Sequence, residues 1–300
     1  MIWTNRPKLL GLGAALLIAA CSSGAQPVGG MGGATGAGGA DAAVDTGPTP
    51  CAGKAISFNS NVPTNGDPAK SRVMVDFTAD TTDLPIGNSP RTIEFWAFVL
   101  TTSWRGDANT MFEYGQTVQN GGFGLDFGGV AGTIDPYTNG TFDNDNQPTG
   151  ITDFATNDQW IHFAMVYDQT AVTLYVNGNF MAGAVGSQKM PTGGGMLATV
   201  RTMLTIGGNP RGAYFNGAID EFRMWNIARS QADIMATMGT KLVGNEDGLV
   251  GYWKFDEGSG TTAADSVTTT GHTAHDGTLM ATDPSMIPTW IDSTAPILCP

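Results

Sequence analysis

The sequence predicts an all-β protein, a two-sheet antiparallel sandwich with one short helix. Three observations carry this. Trp160 to Phe180 reads WIHFAMVYD and then QTAVTLYVNGNF, two alternating apolar runs, the second closing on Asn177-Gly178. A type I′ turn needs positive φ at both central residues, which Asn-Gly supplies at little cost. Ala171 to Val176 and Asn179 to Gly183 are therefore expected to form a tight hairpin. Charged residues make up 14% of the chain and glycine contributes 42 of 300 positions. Set against roughly 25% charge in ordinary globular chains, this suits strands and turns better than amphipathic helices. Short β-prone runs also recur between turn residues along most of the chain, the pattern of a sandwich.

The chain opens with an address. Met1 to Lys8 is short and basic, and Leu9 to Ala20 is apolar, too short to span a bilayer and suited to the core of a secretory signal. Residues 1–20 are thus expected to be a signal peptide. Leu17-Ile18-Ala19-Ala20-Cys21 resembles the lipobox of bacterial lipoproteins, which implies lipidation of Cys21 and cleavage before it. The alternative is cleavage after an alanine with Cys21 incidental. Ser22 in place of Asp after that cysteine implies sorting to the outer membrane. Residues 21–50, with GGMGGATGAGGA at their centre, lack the bulky side chains that would offset ordering entropy and read as a flexible tether. Loss of Arg6 and Lys8 with the signal leaves 12 of the 14 basic residues against 27 acidic ones, a net charge of −15. Such a surface repels nucleic acid and anionic headgroups; cations and neutral sugars are the compatible partners, beside the membrane reached through the lipid.

The folded part is expected over residues 51–300. Cys51 and Cys299 stand at its two borders. In an oxidising compartment an even pair reads as a disulfide, with two free thiols as the alternative. Ala55 to Asn59 and Arg72 to Phe77 are short strand candidates. In Arg91 to Leu100, RTIEFWAFVL, one face carries Ile93, Phe95, Ala97 and Val99 and the other Glu94, Trp96, Phe98 and Leu100, so both faces should be covered. Met111 to Tyr114 and Gly122 to Phe127 follow. Gly132 to Asp158 is long and polar. Met203 to Gly207, Ile219 to Trp225 and Leu249 to Phe255 complete the strands, with a polar, threonine-rich tail after them. Ser230 to Met238 is the helix, opened by a capping box of Ser230 and Asp233.

The ordered motifs TIEFW, WIHFAMVYD, LYVNG, LTIGG, GAIDEFRMWNIARS and LVGYWKFDEGSGTTAADS closely resemble laminin-G-like, or concanavalin A-like, jelly-roll domains, a group that includes the pentraxins. The resemblance covers about Ile56 to Thr289. It implies a jelly-roll topology and, through loops at one rim, calcium and glycan binding. The group is functionally diverse, and fold alone does not assign a task.

Retaining glycosidases of this fold class place two carboxylates about 5–5.5 Å apart from an E-x-D-x-x-E or E-x-D-x-E strand. No such run occurs in this sequence. Asp220 and Glu221 are adjacent, and on a regular strand they would point to opposite faces, with Glu221 and Arg223 able to pair. No catalytic residue is therefore assigned. His162 reads as a structural residue of its strand. His272, His275 and Asp276 form H-x-x-H-D in the tail; zinc would need further ligands, and a solvated loop is the expectation. The ligand candidate is TIDPYTNGTFDNDN, Thr133 to Asn146. Asp135, Asp143 and Asp145, with Asn144 and Asn146, offer the oxygen donors that calcium takes in sets of six to eight, and Tyr137 offers a face for a sugar. The alternative is a solubilising loop of turn formers. The reading is a surface-tethered, non-catalytic module for carbohydrate or a matrix ligand, with calcium as its candidate cofactor; adhesion to another surface protein is the second class, and a glycoside hydrolase the third.

Overall fold

The computed structural model describes residues 51–58, 71–77, 83–100, 109–116, 118, 120–127, 134–138, 158–180, 188–189, 196–209 and 215–299. The expected signal peptide, Cys21 and the expected tether lie outside them. Among the described residues no helix is long and apolar enough to cross a membrane.

Two antiparallel sheets face each other. The first contains β1 (Lys54–Phe58), β3 (Arg91–Val99), β7 (Trp160–Tyr167), β8 (Val172–Val176), β9 (Asn179–Phe180), β10 (Gln188–Lys189), β12 (Gly217–Trp225), β13 (Leu249–Trp253) and β16 (Thr289–Asp292). Its main path runs β10-β8-β7-β3-β12-β1-β16, with β9 beside β8 and β13 beside β12. The second sheet runs β14 (Thr262–Ala263), β15 (Gly277–Met280), β2 (Arg72–Asp76), β11 (Met203–Ile206), β4 (Asn109–Gly115), β5 (Gly122–Phe127) and β6 (Ile134–Tyr137). The helix α1 (Gln231–Thr237) follows β12. Fold class, hairpin and helix agree with the sequence. Asn177 and Gly178 adopt φ of 49° and 72°, as a type I′ turn requires.

The alternation of apolar residues explains the layering. Phe95 of β3 stacks on Phe222 of β12 at 5.3 Å and meets Phe112 of β4 edge-on at 5.7 Å. It thereby joins the two sheets at the centre of the main core cluster. The opposite face of β3 is covered too. Trp96 packs with Ala295 and Ile297 of the C-terminal segment and donates through Nε1 to Met238 O at 2.7 Å. Ile234 of α1 packs on Ala164 and Val166 of β7. Ser230 caps α1, with Asp233 bonding back as expected.

The C-terminal segment departs from expectation. Instead of a solvated tail, it adds β14 and β15 to the second sheet and β16 to the first. These pieces are held by backbone pairing and by one core-facing apolar side chain each, Ala263, Leu279 and Trp290, too little side-chain alternation to read. The polar stretch after Gly132 likewise contains a strand, β6. Cys51 and Cys299 are disulfide-bonded, with Cα atoms 5.1 Å apart.

A bulge corrects a second expectation. On β12 the register passes from Asp220 opposite Trp96 to Arg223 opposite Glu94, so Glu221 and Phe222 together face Phe95. Glu221 takes φ of 51°. The extra residue shifts the alternation, so Asp220 and Glu221 do not follow the opposite-face rule of a regular strand. Glu221 and Arg223 do pair, Oε2 to Nη2 at 2.8 Å. Asp220 is 3% exposed, and its Oδ2 accepts from Ser293 Oγ at 2.5 Å.

Burial pushes the Asp220 carboxyl up to about 7, against the pull of the Ser293 hydrogen bond and with the nearby charge of Glu221. Its unfolded value lies at ~3.9. Between those values the folded protein holds a proton that the unfolded chain releases, so this group makes stability fall as pH rises from about 4 to about 7. The loss has an upper bound on the order of 4 kcal/mol. Urea midpoints at pH 4.5 and 7.5 should show that decline in the wild type and a flatter profile in Asp220→Asn. Equal slopes in the two proteins would overturn the assignment.

Candidate functional site

The acidic stretch is only partly described. Asp135 lies in β6 directly opposite Asp126 of β5, whereas Asp143, Asn144, Asp145 and Asn146 lie outside the described residues. Tyr137 requires a correction. It is 2% exposed, and its hydroxyl donates to Glu113 Oε2 at 3.0 Å. Gly124 leaves room for the ring, since a Cβ there would stand 2.3 Å from Tyr137 Cζ. The ring has no free face for a sugar. It belongs to a buried polar layer on the outward side of the second sheet. There Thr110, Glu113, Asp126 and Thr205 alternate with core residues, and Asn209 donates to Thr110 Oγ1 at 2.8 Å.

Two buried carboxylates of the first sheet, Glu94 and Glu221, are paired with arginines. Glu94, fully buried, takes Arg229 Nη1 at 2.6 Å and Trp225 Nε1 at 3.1 Å on Oε1. Arg223 Nη1 stands 3.8 Å from the same oxygen. Glu221 is held by Arg223 and by the Tyr252 hydroxyl. Burial opposes the charge on Arg223, but Glu221 and Glu94 prevail and raise its pKa. His162 is held well below its ordinary value, first by burial and then by Arg223 and Arg229. It is therefore a neutral ring, edge-on to Trp96 at 5.3 Å, which fits a structural role. This network fixes α1 to the sheet, because Arg223 also donates to Thr237 O at the end of the helix and Arg229 to Asp233 O in its first turn.

The H-x-x-H-D sequence is where structure and expectation differ most. His272 and His275 are buried rather than solvated, with side chains 4% and 3% exposed. Asp83 arrives from the segment before β3. Its Oδ2 lies 2.7 Å from His272 Nδ1, and its Oδ1 lies 3.5 Å from His275 Nε2. On the other side of the His272 ring, Nε2 meets Asp265 Oδ2 at 2.8 Å. Asp265 is fixed in turn by the backbone N–H groups of Tyr252, Val267 and His275. Asp276, the last residue of the motif, accepts from Asp265 N at 2.9 Å. Burial works against a charged His272, but the hydrogen bonds to Asp83 and Asp265 dominate and raise its pKa. Sequence reasoning missed Asp83 and Asp265; Asp83 is 189 residues from its histidine partner, and only the Asp265…His272…His275 spacing gave a local hint.

Beside this cluster opens a cleft of about 350 Å³. Asp83 and His272 form one wall; Asn226, Asn245, Asp247 and Thr270 line the rest. Its walls come from segments flanking β3, β12, β13 and β15, so it sits among connections rather than on a sheet face. Carboxylates, amides and hydroxyls there can accept and donate hydrogen bonds to a hydroxyl-rich or cationic ligand.

The family model of the concanavalin A-like lectin/glucanases superfamily matches residues 65–235. The chain belongs to that superfamily. Among solved structures, a proposed carbohydrate binding protein from Bacteroides ovatus is similar at 21% identity and a TM-score of 0.52, over 82% of this chain and 61% of that one. A heptameric SAP-like pentraxin from Limulus polyphemus is 14% identical with a TM-score of 0.41, over 61% of this chain and 80% of that one. Pappalysin-1 of Mus musculus is 34% identical over 86 residues, which is 28% of this chain and 5% of that protein. The chain thus spans a small part of the curated relatives that it matches. At 21% identity the Bacteroides ovatus structure speaks for the fold alone, which the two antiparallel sheets already display.

Proposed function

We propose that this superfamily member is a non-catalytic carbohydrate-binding module, held at the outer membrane surface by a lipid on Cys21 and a flexible tether. The polar cleft carries the reading. Small-ligand sites are concave and fix their ligand through a few placed polar groups, and Asn226, Asn245, Asp247 and Thr270 offer such groups in one recess. The carbohydrate-binding description of the Bacteroides ovatus protein runs the same way. Glu94 and Glu221 are both engaged by arginines, which argues against these two as a hydrolytic pair. Calcium held by Asp135, Asp143 and Asp145, with Asn144 and Asn146, is a further element of the proposal.

The test combines a glycan array with thermal unfolding of a soluble form beginning at Pro50. Calcium should raise the midpoint in the wild type and leave an Asp143→Ala/Asp145→Ala variant unmoved. A ligand at a hundredfold excess over Kd stabilises by about 2.7 kcal/mol. Asn245→Ala and Asp247→Ala should weaken glycan binding without lowering the midpoint. No glycan captured, together with specific binding to an isolated surface protein, would replace this reading with protein adhesion.

A further inference from the structure

We propose that Asp83, His272 and His275 form a binding site for a divalent transition-metal ion of the zinc type, opening onto the polar cleft. The inference does not depend on a glycan entering that cleft. One ligand atom from each of the three residues lies within 4.8 Å of the other two. Tetrahedral zinc, with bonds of about 2.0–2.2 Å to nitrogen and oxygen, sets its ligand atoms ~3.3 Å apart. His275 Nε2 stands 3.5 Å from Asp83 Oδ1, close to that spacing, and His272 Nδ1 stands 2.7 Å from the other oxygen, Oδ2, so a small outward shift of one ring would admit the ion. The two imidazoles stand at 89° to each other with centroids 5.1 Å apart, so their nitrogens approach the carboxylate from different directions. Two imidazoles and a carboxylate are the donor set of zinc, and also of nickel and iron. Calcium, which takes oxygen donors in larger number, is a poor match.

The surroundings strengthen the argument. A metal-ligating histidine generally gives its other ring nitrogen to a carboxylate that fixes ring orientation. Asp265 stands in that position, 2.8 Å from His272 Nε2, and is itself held by three backbone N–H groups. His275 is fixed by its backbone N–H on Asp265 and by its ring edge-on to Phe77 at 5.1 Å. Asp83 Oδ1 is a buried atom with no hydrogen bond among the described residues, although the Asp83 side chain as a whole is 25% exposed. A cation between it and the histidines would satisfy it. Because Asp83 and His272 also line the cleft, the remaining coordination position would face solvent.

The experiment uses the full chain, made without a histidine tag and stripped with a chelator, titrated calorimetrically with zinc. One ion per chain is expected. Cobalt in place of zinc should give the visible absorption of a low-coordinate nitrogen–oxygen site. Asp83→Ala, at the most exposed of the three ligands, should weaken binding at least tenfold while keeping the fold, and His275→Gln should abolish the cobalt bands. Asp265→Asn should weaken zinc by about 10–100-fold as an orienting residue. Absence of zinc binding by the wild type at micromolar concentration would overturn the proposal. So would zinc binding that survives unchanged in both Asp83→Ala and His275→Gln, since the ion would then lie elsewhere.

Discussion

Replacing Cys51 and Cys299 by serine should cost about 5 kcal/mol of stability while leaving the native fold in place. The two cysteines are separated by 248 residues, so the bond closes nearly the whole folded part into one loop. On the chain-entropy account its effect falls mainly on the unfolded ensemble, which it makes more compact. The native contacts around it do not depend on sulfur. Cys51 N donates to Ile297 O at 2.9 Å, Leu298 N to Gly239 O at 2.9 Å and Lys241 N to Leu298 O at 3.0 Å. Those bonds and the packing of Ala295 and Ile297 on Trp96 should keep the C-terminal segment docked in the reduced protein. The expected result is an unchanged far-ultraviolet spectrum with a melting point lower by about 10–20 °C. The slope of the denaturant transition should rise, because more surface is exposed on unfolding. A reduced protein that melts at the same temperature as the oxidised one would contradict this account.

The sequence disclosed those parts of the fold whose physics is local. In β3, β7 and β8 the alternation of large apolar residues states the strand, its inward face and its register at once. The capping box at Ser230 and the turn at Asn177-Gly178 are readable because each is set by residue types at fixed offsets. β14, β15 and β16 are different. They are two to four residues long and draw their order from neighbours distant in sequence. The bulge at Glu221 was also illegible, since a glutamate is an uncommon residue at positive φ and its position is set by pairing with β3 and by its partners Arg223 and Tyr252. The same reasoning explains the metal-type cluster. His272 and His275 share a visible spacing, but their meaning depends on Asp83, which only the closure of the sandwich brings to them. Sites built across a fold in this way leave half-motifs in the sequence, and here the half-motif looked like a loop.

Arg229→Ala should destabilise the protein by about 3–5 kcal/mol, the cost of leaving a buried charge without its partner. Arg229 is 6% exposed. Its guanidinium reaches Glu94 at 2.6 Å, Asp233 O and Thr237 Oγ1 at 2.9 Å each, and lies 4.0 Å from the ring centroid of Trp225. Truncation leaves Glu94 with Trp225 Nε1 and a distant Arg223. The charge of Glu94 is then poorly balanced in a site that water does not reach. Removing both charges with Glu94→Leu/Arg229→Met should be milder than Arg229→Ala, because an apolar pair of similar size avoids the desolvation cost that the ion pair has to offset. It should not be neutral, since Trp225 Nε1 loses the Glu94 carboxylate it donates to. A double-mutant cycle by denaturant unfolding measures the coupling, expected at about 1–3 kcal/mol; strict additivity of the two single changes would remove the pair from the account. Hydrogen exchange should show α1 as the first segment to loosen, because Arg223 and Arg229 are its main polar ties to the sheet. Ligand binding at the cleft and zinc affinity should survive in the double variant. Their survival would separate the Glu94–Arg229 pair, as scaffold, from the Asp83–His272–His275 cluster, as function.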